Sequence, residues 1–194
     1  MKLTISLLQA YDWYNDCPPS WKKSAFQQMV DSLNKKPFSS KAMERGAIYE
    51  DKINNALLNG EEVAPELEHL RGLQQQGWLL PFTIAGVTFR GRMDYFDAGK
   101  KIYDLKTTKK LNIESYKKKW QHIVYMLAMG VKEFQYDIAV FDDETGLEPS
   151  KIVSIPITLQ ENDWQRLAER IEEFKSFLKR HDLWGTYINV YNAK

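Results

Sequence analysis

Apolar residues recur every three or four positions over the first third of the chain, which is the spacing of an α-helix. This spacing predicts helices over residues 4–16, 20–34, 41–58 and 64–76. The first helix is expected to end before Pro18 and Pro19, because a proline disfavours helical backbone in the residue before it. Ser39 or Ser40 can cap the third helix.

Alternation of apolar and polar residues then replaces the helical spacing, which is typical of β-strands. The predicted strands are residues 78–85, 87–96, 101–107, 134–142 and 151–158, with helices over 112–129 and from 158 or 160 to 182. Short connections between the first three strands predict an antiparallel meander. The order of elements predicts an α/β or α+β layer structure, with helices against a mixed sheet. The tail from 184 to 190 is apolar enough to pack on the body.

Length and composition limit the class of protein. A chain of 194 residues with 43% hydrophobic and 27% charged residues suits one globular domain, and excludes collagen-like and wholly disordered chains. No apolar run approaches the roughly 18 residues of a membrane helix, and the N-terminal segment does not read as a secretory signal. A single cysteine, Cys17, excludes an internal disulfide and a cysteine-built zinc or iron–sulfur site within one chain. A cytoplasmic location is expected.

The net charge of +1 conceals an uneven distribution. Residues 100–120 contain eight lysines, against Asp104 and Glu114. Such a local excess of positive charge can bind a polyanion, or it can be a lysine-rich face in contact with solvent. Charge alone favours the solvated face.

Several common catalytic motifs are missing from the sequence. The three histidines lack the spacing of a helical zinc site, and neither a phosphate loop nor a Gly-x-Ser-x-Gly elbow occurs. Zinc peptidases, P-loop ATPases and serine-triad hydrolases therefore have no support.

Two acids and a lysine stand out on neighbouring predicted strands. Asp104 and Lys106 point to one face of their strand because side chains alternate, whereas Leu105 points to the other. A tight hairpin through residues 97–99 can bring Asp94 beside Asp104. Two carboxylates and an amine on a sheet surface suit Mg²⁺ and a scissile phosphate. Taken alone, these residues are more often an ordinary surface ion pair.

Flanking segments add three features to this group. Glu50, on the preceding helix, can supply a third carboxylate, although an exposed helix glutamate is the simpler interpretation. Gln121 and Tyr125 are one turn apart on the following helix and can both face the site, or can form a pair at the edge of the core. The expected core stripe of that helix is Ile113, Trp120, Val124 and Leu127. The lysines that flank the same strand and helix are Lys109, Lys110, Lys117, Lys118 and Lys119.

Together these segments resemble the PD-(D/E)XK nucleases of the RecB-type exonuclease branch, which includes phage recombination exonucleases and CRISPR-associated adaptation nucleases. The four motifs of that branch correspond, in order, to Gly46/Glu50, Gly91/Asp94, Asp104/Lys106 and Gln121/Tyr125. The opening of the chain is also similar, at Ile5, Ser6, Tyr11, Cys17 and Pro18. The resemblance is strongest over residues 40–130. It implies an α/β fold with a PD-(D/E)XK restriction-endonuclease-like core, in which helices flank a central mixed sheet, and an N-terminal helical extension.

The resemblance also implies roles for individual residues. Asp94, Asp104 and the Leu105 carbonyl would bind a metal, Lys106 would position or activate water, and Glu50 would bind the metal or orient its water. Gln121 and Tyr125 would steady the site and the DNA end. Contacts to DNA would come from Arg92, Lys109, Lys110, Lys117 and Lys118. His122 and Asp97 are expected to be structural. Many members have His where this chain has Glu50, which leaves the number and preference of metal ions open.

The function that the resemblance implies is Mg²⁺-dependent DNA hydrolysis, with Mn²⁺ as a substitute, by an exonuclease of recombination, repair or phage replication. The alternatives are a non-cleaving DNA-binding or interaction module and a structure-specific endonuclease on the same fold. DNA is the expected partner, together with a recombination or single-strand-binding protein, in a bacterial or phage-infected cell. With Cys17 alone, the iron–sulfur cluster of some relatives cannot form. One nuclease domain is expected over 1–194, with the extension at 1–38, the core at 40–182 and a tail at 183–194.

Overall fold

The computed structural model describes residues 1–73, 82–142, 146 and 148–193, in which groups of helices are followed by groups of strands. The helices are α1 (Ile5–Asp16), α2 (Lys22–Leu33), α3 (Lys41–Asn59), α4 (Ile113–Lys117), α5 (Trp120–Met129), α6 (Asp163–Arg180) and α7 (Trp184–Thr186). The strands are β1 (Lys2–Thr4), β2 (Phe82–Ile84), β3 (Val87–Arg90), β4 (Tyr95–Asp97), β5 (Lys101–Thr108), β6 (Glu133–Val140) and β7 (Lys151–Thr158). Short 3₁₀ turns cover Pro19–Trp21 and Pro65–Leu70, and a π turn covers Tyr187–Tyr191.

The chain divides into two units, and the larger comprises Ser39–Trp78 and Arg92–Leu159. Its four-stranded sheet has the order β4-β5-β6-β7, in which only the central pair, β5 and β6, is parallel. On one face lies a buried apolar cluster of Tyr49, Ile53, Leu67, Leu70, Tyr95, Leu105, Ala139 and Phe141. On the other face, His122 of α5 packs against the rings of Phe134 and Tyr136 in β6. Helices therefore cover both faces of a mixed sheet.

The second unit comprises Met1–Phe38, Leu79–Gly91 and Gln160–Lys194. Its three-stranded sheet has the order β1-β3-β2, with β1 parallel and β2 antiparallel to β3. Ala85 and Gly86 form the two-residue turn between β2 and β3, and both have positive φ, as hairpin turns of this length require. Tyr11 of α1 packs between Phe174 and Phe177 of α6, with ring centroids 5.2 and 5.1 Å away.

Most elements confirm the predictions, and the α/β class with helices on mixed sheets is confirmed. Ser40 caps α3 by accepting a hydrogen bond from the amide of Met43, and Gly60 ends the helix with a φ of 72°. The tail also packs as expected, since Tyr187 is buried. No helix in the described ranges is long and apolar enough to cross a membrane.

Two predicted elements are divided in the structure. The strand predicted over 87–96 consists of two strands, β3 and β4, which belong to different sheets. The predicted antiparallel pairing is therefore correct for β2 with β3 and for β4 with β5, but the three predicted strands do not form one continuous meander. The helix over 112–129 is interrupted between α4 and α5.

The other differences are smaller. Of the helix over 64–76, the structure has a 3₁₀ turn at Pro65–Leu70, and residues 74–76 lie outside the described residues. Residues 78–81 of the first predicted strand also lie outside them. The single nuclease domain stays a prediction.

Candidate active site

Strand β5 carries the central pair of charged residues. Asp104 and Lys106 lie on the same face, as the alternation of side chains predicts, and the Lys106 Nζ atom is 2.6 Å from Oδ2 of Asp104. The Asp104 side chain is 1% exposed and that of Lys106 is 30% exposed. Leu105, between them, belongs to the apolar cluster on the opposite face. A nearly inaccessible carboxylate is therefore paired with a lysine whose side chain is partly exposed.

Asp94 joins this pair from the segment that leads into β4. Its Oδ2 atom accepts a hydrogen bond from the backbone amide of Leu105 at 3.0 Å. Because β4 and β5 are antiparallel neighbours, the hairpin places Asp94 next to Asp104, as predicted. Asp94 precedes β4, however, and is not within a strand.

Helix α5 supplies the third part of the site. The Gln121 amide donates a hydrogen bond to Oδ1 of Asp104 at 2.7 Å. The Tyr125 hydroxyl donates to the backbone carbonyl of Arg92 at 2.6 Å. The two side chains therefore bond to neighbouring parts of the same group of residues, and their role in a catalytic site stays a prediction. Gln121 fixes the orientation of a carboxylate, whereas Tyr125 holds the backbone two residues before Asp94.

Glu50 lies on α3, close enough for its charge to raise the pKa of Asp94. A hydrogen bond and a close approach of the backbone describe how this part of α3 lies against the sheet. The Tyr95 hydroxyl donates a hydrogen bond to the side-chain oxygen of Asn54, one helical turn beyond Glu50. One turn before Glu50, a Cβ atom on Gly46 would lie 3.0 Å from Oγ1 of Thr107. The glycine thus permits a close approach of the helix to β5.

The electrostatics of the site reflect crowded acids in a buried environment. Burial, followed by the negative charge of Asp104, raises the pKa of Asp94 to about 8, although Lys106 opposes the shift. Burial lowers the pKa of Lys106, but the charges of Asp104 and Asp94 more than offset this effect, so the pKa is raised overall. Burial, with a further contribution from Asp104, also raises the pKa of Tyr125.

These residues fit a divalent cation in the chemistry of their donor atoms. Asp94 and Asp104 offer hard oxygen ligands, which Mg²⁺ prefers, and their mutual repulsion is the kind that a bound cation relieves. Within the described residues, no three His, Cys, Asp or Glu side chains are grouped closely enough to hold a metal ion. Glu50 is therefore near the two aspartates without forming a closed three-carboxylate group with them.

The residues predicted to contact DNA are on the surface. Arg92 and the four lysines are all exposed, namely Lys109, Lys110, Lys117 and Lys118. Lys117 forms an ion pair with Glu114 at 2.8 Å. Their contact with DNA stays a prediction.

Two nearby residues have the structural contacts that the sequence led us to expect. Nδ1 of the buried His122 lies 3.2 Å from the Tyr136 hydroxyl, on the core side of α5. Asp97 closes the β4–β5 turn, where its carbonyl accepts a hydrogen bond from the amide of Lys100.

Sequence reasoning missed several residues that shape the site. Asn54 and Tyr95 anchor α3, and their partnership depends on a register that the sequence alone does not reveal. Tyr116 of α4 is buried, and its pKa responds to the charges of Lys106 and Asp104, which places its hydroxyl near the site. The inward orientation of Lys119 against this tyrosine also had no signal in the lysine run.

Several solved structures are similar to this chain. A phage-related exonuclease from Haemophilus somnus 129PT has a TM-score of 0.54 and 15% identity, over 89% of this chain and 91% of that one. A proposed exonuclease from Eubacterium rectale has a TM-score of 0.55 and 12% identity, over 96% and 81% of the two chains. An alkaline exonuclease from Laribacter hongkongensis has a TM-score of 0.47 and 16% identity, over 93% of both chains. No curated protein matches this chain significantly.

At these identities, likeness to solved structures shows the fold alone. The family is shown by a different comparison, in which the model of the PD-(D/E)XK nuclease superfamily matches residues 7–183. This match contains all four short motifs and nearly the whole chain. The protein therefore belongs to the PD-(D/E)XK nuclease superfamily.

Proposed function

We propose that this protein is a divalent-metal-dependent deoxyribonuclease, and specifically an exonuclease of recombination, repair or phage replication. The observation that carries the proposal is the convergence of Asp94, Asp104, Lys106 and Gln121 at one point of β5 in a nuclease-family chain. All the residue types that the reaction needs are present, which argues against a non-cleaving module. The reaction would add water across a DNA phosphodiester.

The metal ion would be Mg²⁺ or Mn²⁺, and its ligands would be Asp94, Asp104 and the backbone carbonyl of Leu105, with Glu50 nearby. A divalent cation at this position supplies positive charge to the phosphate and lowers the pKa of water. Because Asp104 is held by Gln121 at Oδ1 and by Lys106 at Oδ2, its carboxylate is oriented before any ligand arrives. This fixed orientation favours the geometry that Mg²⁺ demands.

Lys106 would act on the attacking water and the reacting phosphate. A lysine ammonium has three N–H donors, and the contact with Asp104 uses one of them. The remaining two donors belong to a side chain that is 30% exposed. They can orient water toward phosphorus and stabilise the negative charge that develops on the phosphate oxygens. This electrostatic stabilisation is large in sites from which bulk water is excluded.

Gln121 and Tyr125 would be positioning residues. The Gln121 amide holds Asp104, and the Tyr125 hydroxyl holds the chain that leads to Asp94. Neither contact requires substrate, so both prepare the site in advance. Pre-positioned polar groups of this kind avoid reorganisation during the reaction.

Two further observations support DNA as the substrate and exonucleolysis as its mode. The exposed lysines beside β5 and α4 offer the salt-dependent attraction that a phosphate backbone needs. The fold is also that of the exonucleases from Haemophilus somnus and Eubacterium rectale. A recombination or single-strand-binding protein would be the macromolecular partner, in the cytoplasm of a bacterial or phage-infected cell.

A digestion series tests this proposal. The purified protein is incubated with linear duplex, single-stranded and covalently closed circular DNA, each with Mg²⁺ and with EDTA. We expect linear DNA to be degraded from its ends with Mg²⁺, while closed circles stay intact. Cleavage of closed circles would replace the exonuclease with an endonuclease, and binding without cleavage of any substrate would favour the non-cleaving module.

A further inference from the structure

Three consecutive lysines occupy the junction between α4 and α5, and they differ in their surroundings. Lys117 points to solvent and pairs with Glu114, and Lys118 is exposed. Lys119 is only partly exposed, and its Nζ atom lies 4.5 Å from the centre of the Tyr116 ring. The third lysine of the run is thus folded inward.

Helical spacing accounts for the contact between Lys119 and Tyr116, although Lys119 stands at a break between two helices. The backbone of Lys119 is extended, with φ of −73° and ψ of 146°, between the end of α4 and the start of α5. The backbone up to Lys118 is helical, with φ of −86° and ψ of −6° at that residue, so Lys119 lies on the same side as the ring three residues before it.

Tyr116 links Lys119 to the catalytic strand. Its ring packs 5.3 Å from that of Tyr136, which is paired in register with Asp104. Burial raises the pKa of Tyr116, and opposing contributions from Lys106 and from the side chain of Thr108, two residues beyond Lys106 on the same face of β5, place both residues near its hydroxyl. An ammonium over this ring therefore lies beside the Asp104–Lys106 pair.

The charge of Lys119 is incompletely balanced by the protein. In the described part of the chain, no acidic side chain forms an ion pair with it, and Asp104 is already paired with Lys106. Burial lowers the pKa of Lys119, and the neighbouring charge of Lys106 lowers it further, whereas the charge of Asp104 partly opposes the shift. Two close cations, one of them without a carboxylate of its own, form a position that favours an anion.

We infer that Lys119 is a second substrate-contacting lysine, which binds a non-bridging oxygen of the DNA phosphate that reacts beside Lys106. This inference rests on the proposed nuclease function. The Tyr116 ring holds the ammonium in place by a cation–π contact, so that Lys119 meets the phosphate without first being ordered. Lys106 and Lys119 would then neutralise the phosphate from two directions.

The test compares the Lys119→Ala, Lys119→Arg and Lys132→Ala variants with the wild-type protein. Lys132 is an exposed lysine beyond the far end of α5, so it serves as a matched control for the loss of one positive charge. Single-turnover cleavage is measured at saturating DNA with Mg²⁺. DNA affinity is measured in EDTA over a range of salt concentrations, and the melting temperature is measured for every variant.

We expect Lys119→Ala to cleave about 10- to 100-fold more slowly at saturating DNA. The slope of log affinity against log salt concentration should also decrease, by the amount that corresponds to about one phosphate contact. Lys119→Arg keeps both the charge and the stacking on Tyr116 and should recover most of the rate. Lys132→Ala should match the wild type. Equal rates for Lys119→Ala and Lys132→Ala would overturn the inference, as would a rate loss that only follows a lower melting temperature.

The salt dependence separates this inference from the proposed function. If the wild type binds DNA but cleaves none, the nuclease proposal fails, and an unchanged salt slope in Lys119→Ala would overturn the phosphate contact as well. If the wild type cleaves and Lys119→Ala behaves like the control, the inference fails alone.

Discussion

Replacing Lys106 by alanine tests the electrostatic core of the site. The change leaves Asp104, whose side chain is 1% exposed, with its hydrogen bond from Gln121 but without its cation. Removing one partner of a fully buried ion pair costs about 3–5 kcal/mol, whereas an exposed pair contributes about 0–1 kcal/mol. Because Lys106 is 30% exposed, we expect an intermediate loss of about 2 kcal/mol.

For a chain of this length, each kcal/mol shifts the melting temperature by about 2–4 °C, so Lys106→Ala should melt about 4–8 °C lower in EDTA. A divalent metal at a hundred times its dissociation constant adds about 2.7 kcal/mol of stability, which exceeds the loss. In the variant, the metal no longer competes with the lysine for Asp104. Mg²⁺ or Mn²⁺ should therefore raise the melting temperature more in Lys106→Ala than in the wild type.

Differential scanning calorimetry in EDTA and in a metal titration measures both effects, with Lys132→Ala as the control. Cleavage by Lys106→Ala should be slower by on the order of a hundredfold or more, because the group that stabilises charge at the phosphate is lost. An unchanged melting temperature in EDTA, together with a metal response equal to that of the wild type, would refute the pairing of Lys106 with Asp104.

Two further substitutions probe the supports of the site. Gln121→Ala removes a 2.7 Å hydrogen bond to a buried carboxylate and should lower the free energy of unfolding by about 1.5–3 kcal/mol; urea denaturation measures this, and a loss below 0.5 kcal/mol would contradict it. Gly46→Ala gains about 1 kcal/mol of helix propensity, but its Cβ would lie 3.0 Å from Oγ1 of Thr107, so we expect net destabilisation of about 1 kcal/mol. The double variant Gly46→Ala/Thr107→Ala should recover the loss, and a more stable Gly46→Ala single variant would show that the close approach is absent.

The periodicity of side chains predicted correctly those parts of the site that lie within a single strand or a single helix. The period of a β-strand placed Asp104 and Lys106 on one face, and the period of a helix placed Gln121 and Tyr125 together. Both arrangements agree with the structure. Such predictions succeed because the relation between residues within one element is fixed by backbone geometry.

The divided elements escaped prediction because their buried positions continue across the break. Val87, Phe89, Met93 and Tyr95 are all buried with a strand-like period, although the chain changes sheets between Arg90 and Tyr95. In the same way, Tyr116 and Trp120 are both buried four residues apart on either side of the α4–α5 junction. A hydrophobic pattern records which side chains are buried, and it does not record which partner buries them.

Predictions also failed where tertiary contacts decide exposure. Ile113 was expected in the core stripe of a continuous helix, but it lies at the start of the separate helix α4 and is 41% exposed. The inward position of Lys119 depends on the buried ring of Tyr116, over which its ammonium lies. The anchoring of Glu50 through Asn54 and Tyr95 depends on a contact between residues 41 positions apart, which no local pattern contains.

The central claim is that Asp94, Asp104 and Lys106 form a metal-dependent site for DNA hydrolysis. The most direct measurement is the cleavage of end-labelled linear duplex DNA by the wild type and by Asp104→Asn, each with Mg²⁺ and with EDTA. The account predicts cleavage by the wild type with Mg²⁺, none in EDTA, and a rate for Asp104→Asn that is reduced by on the order of a hundredfold or more, with DNA binding retained. Robust cleavage in EDTA, or full activity of Asp104→Asn, would contradict it.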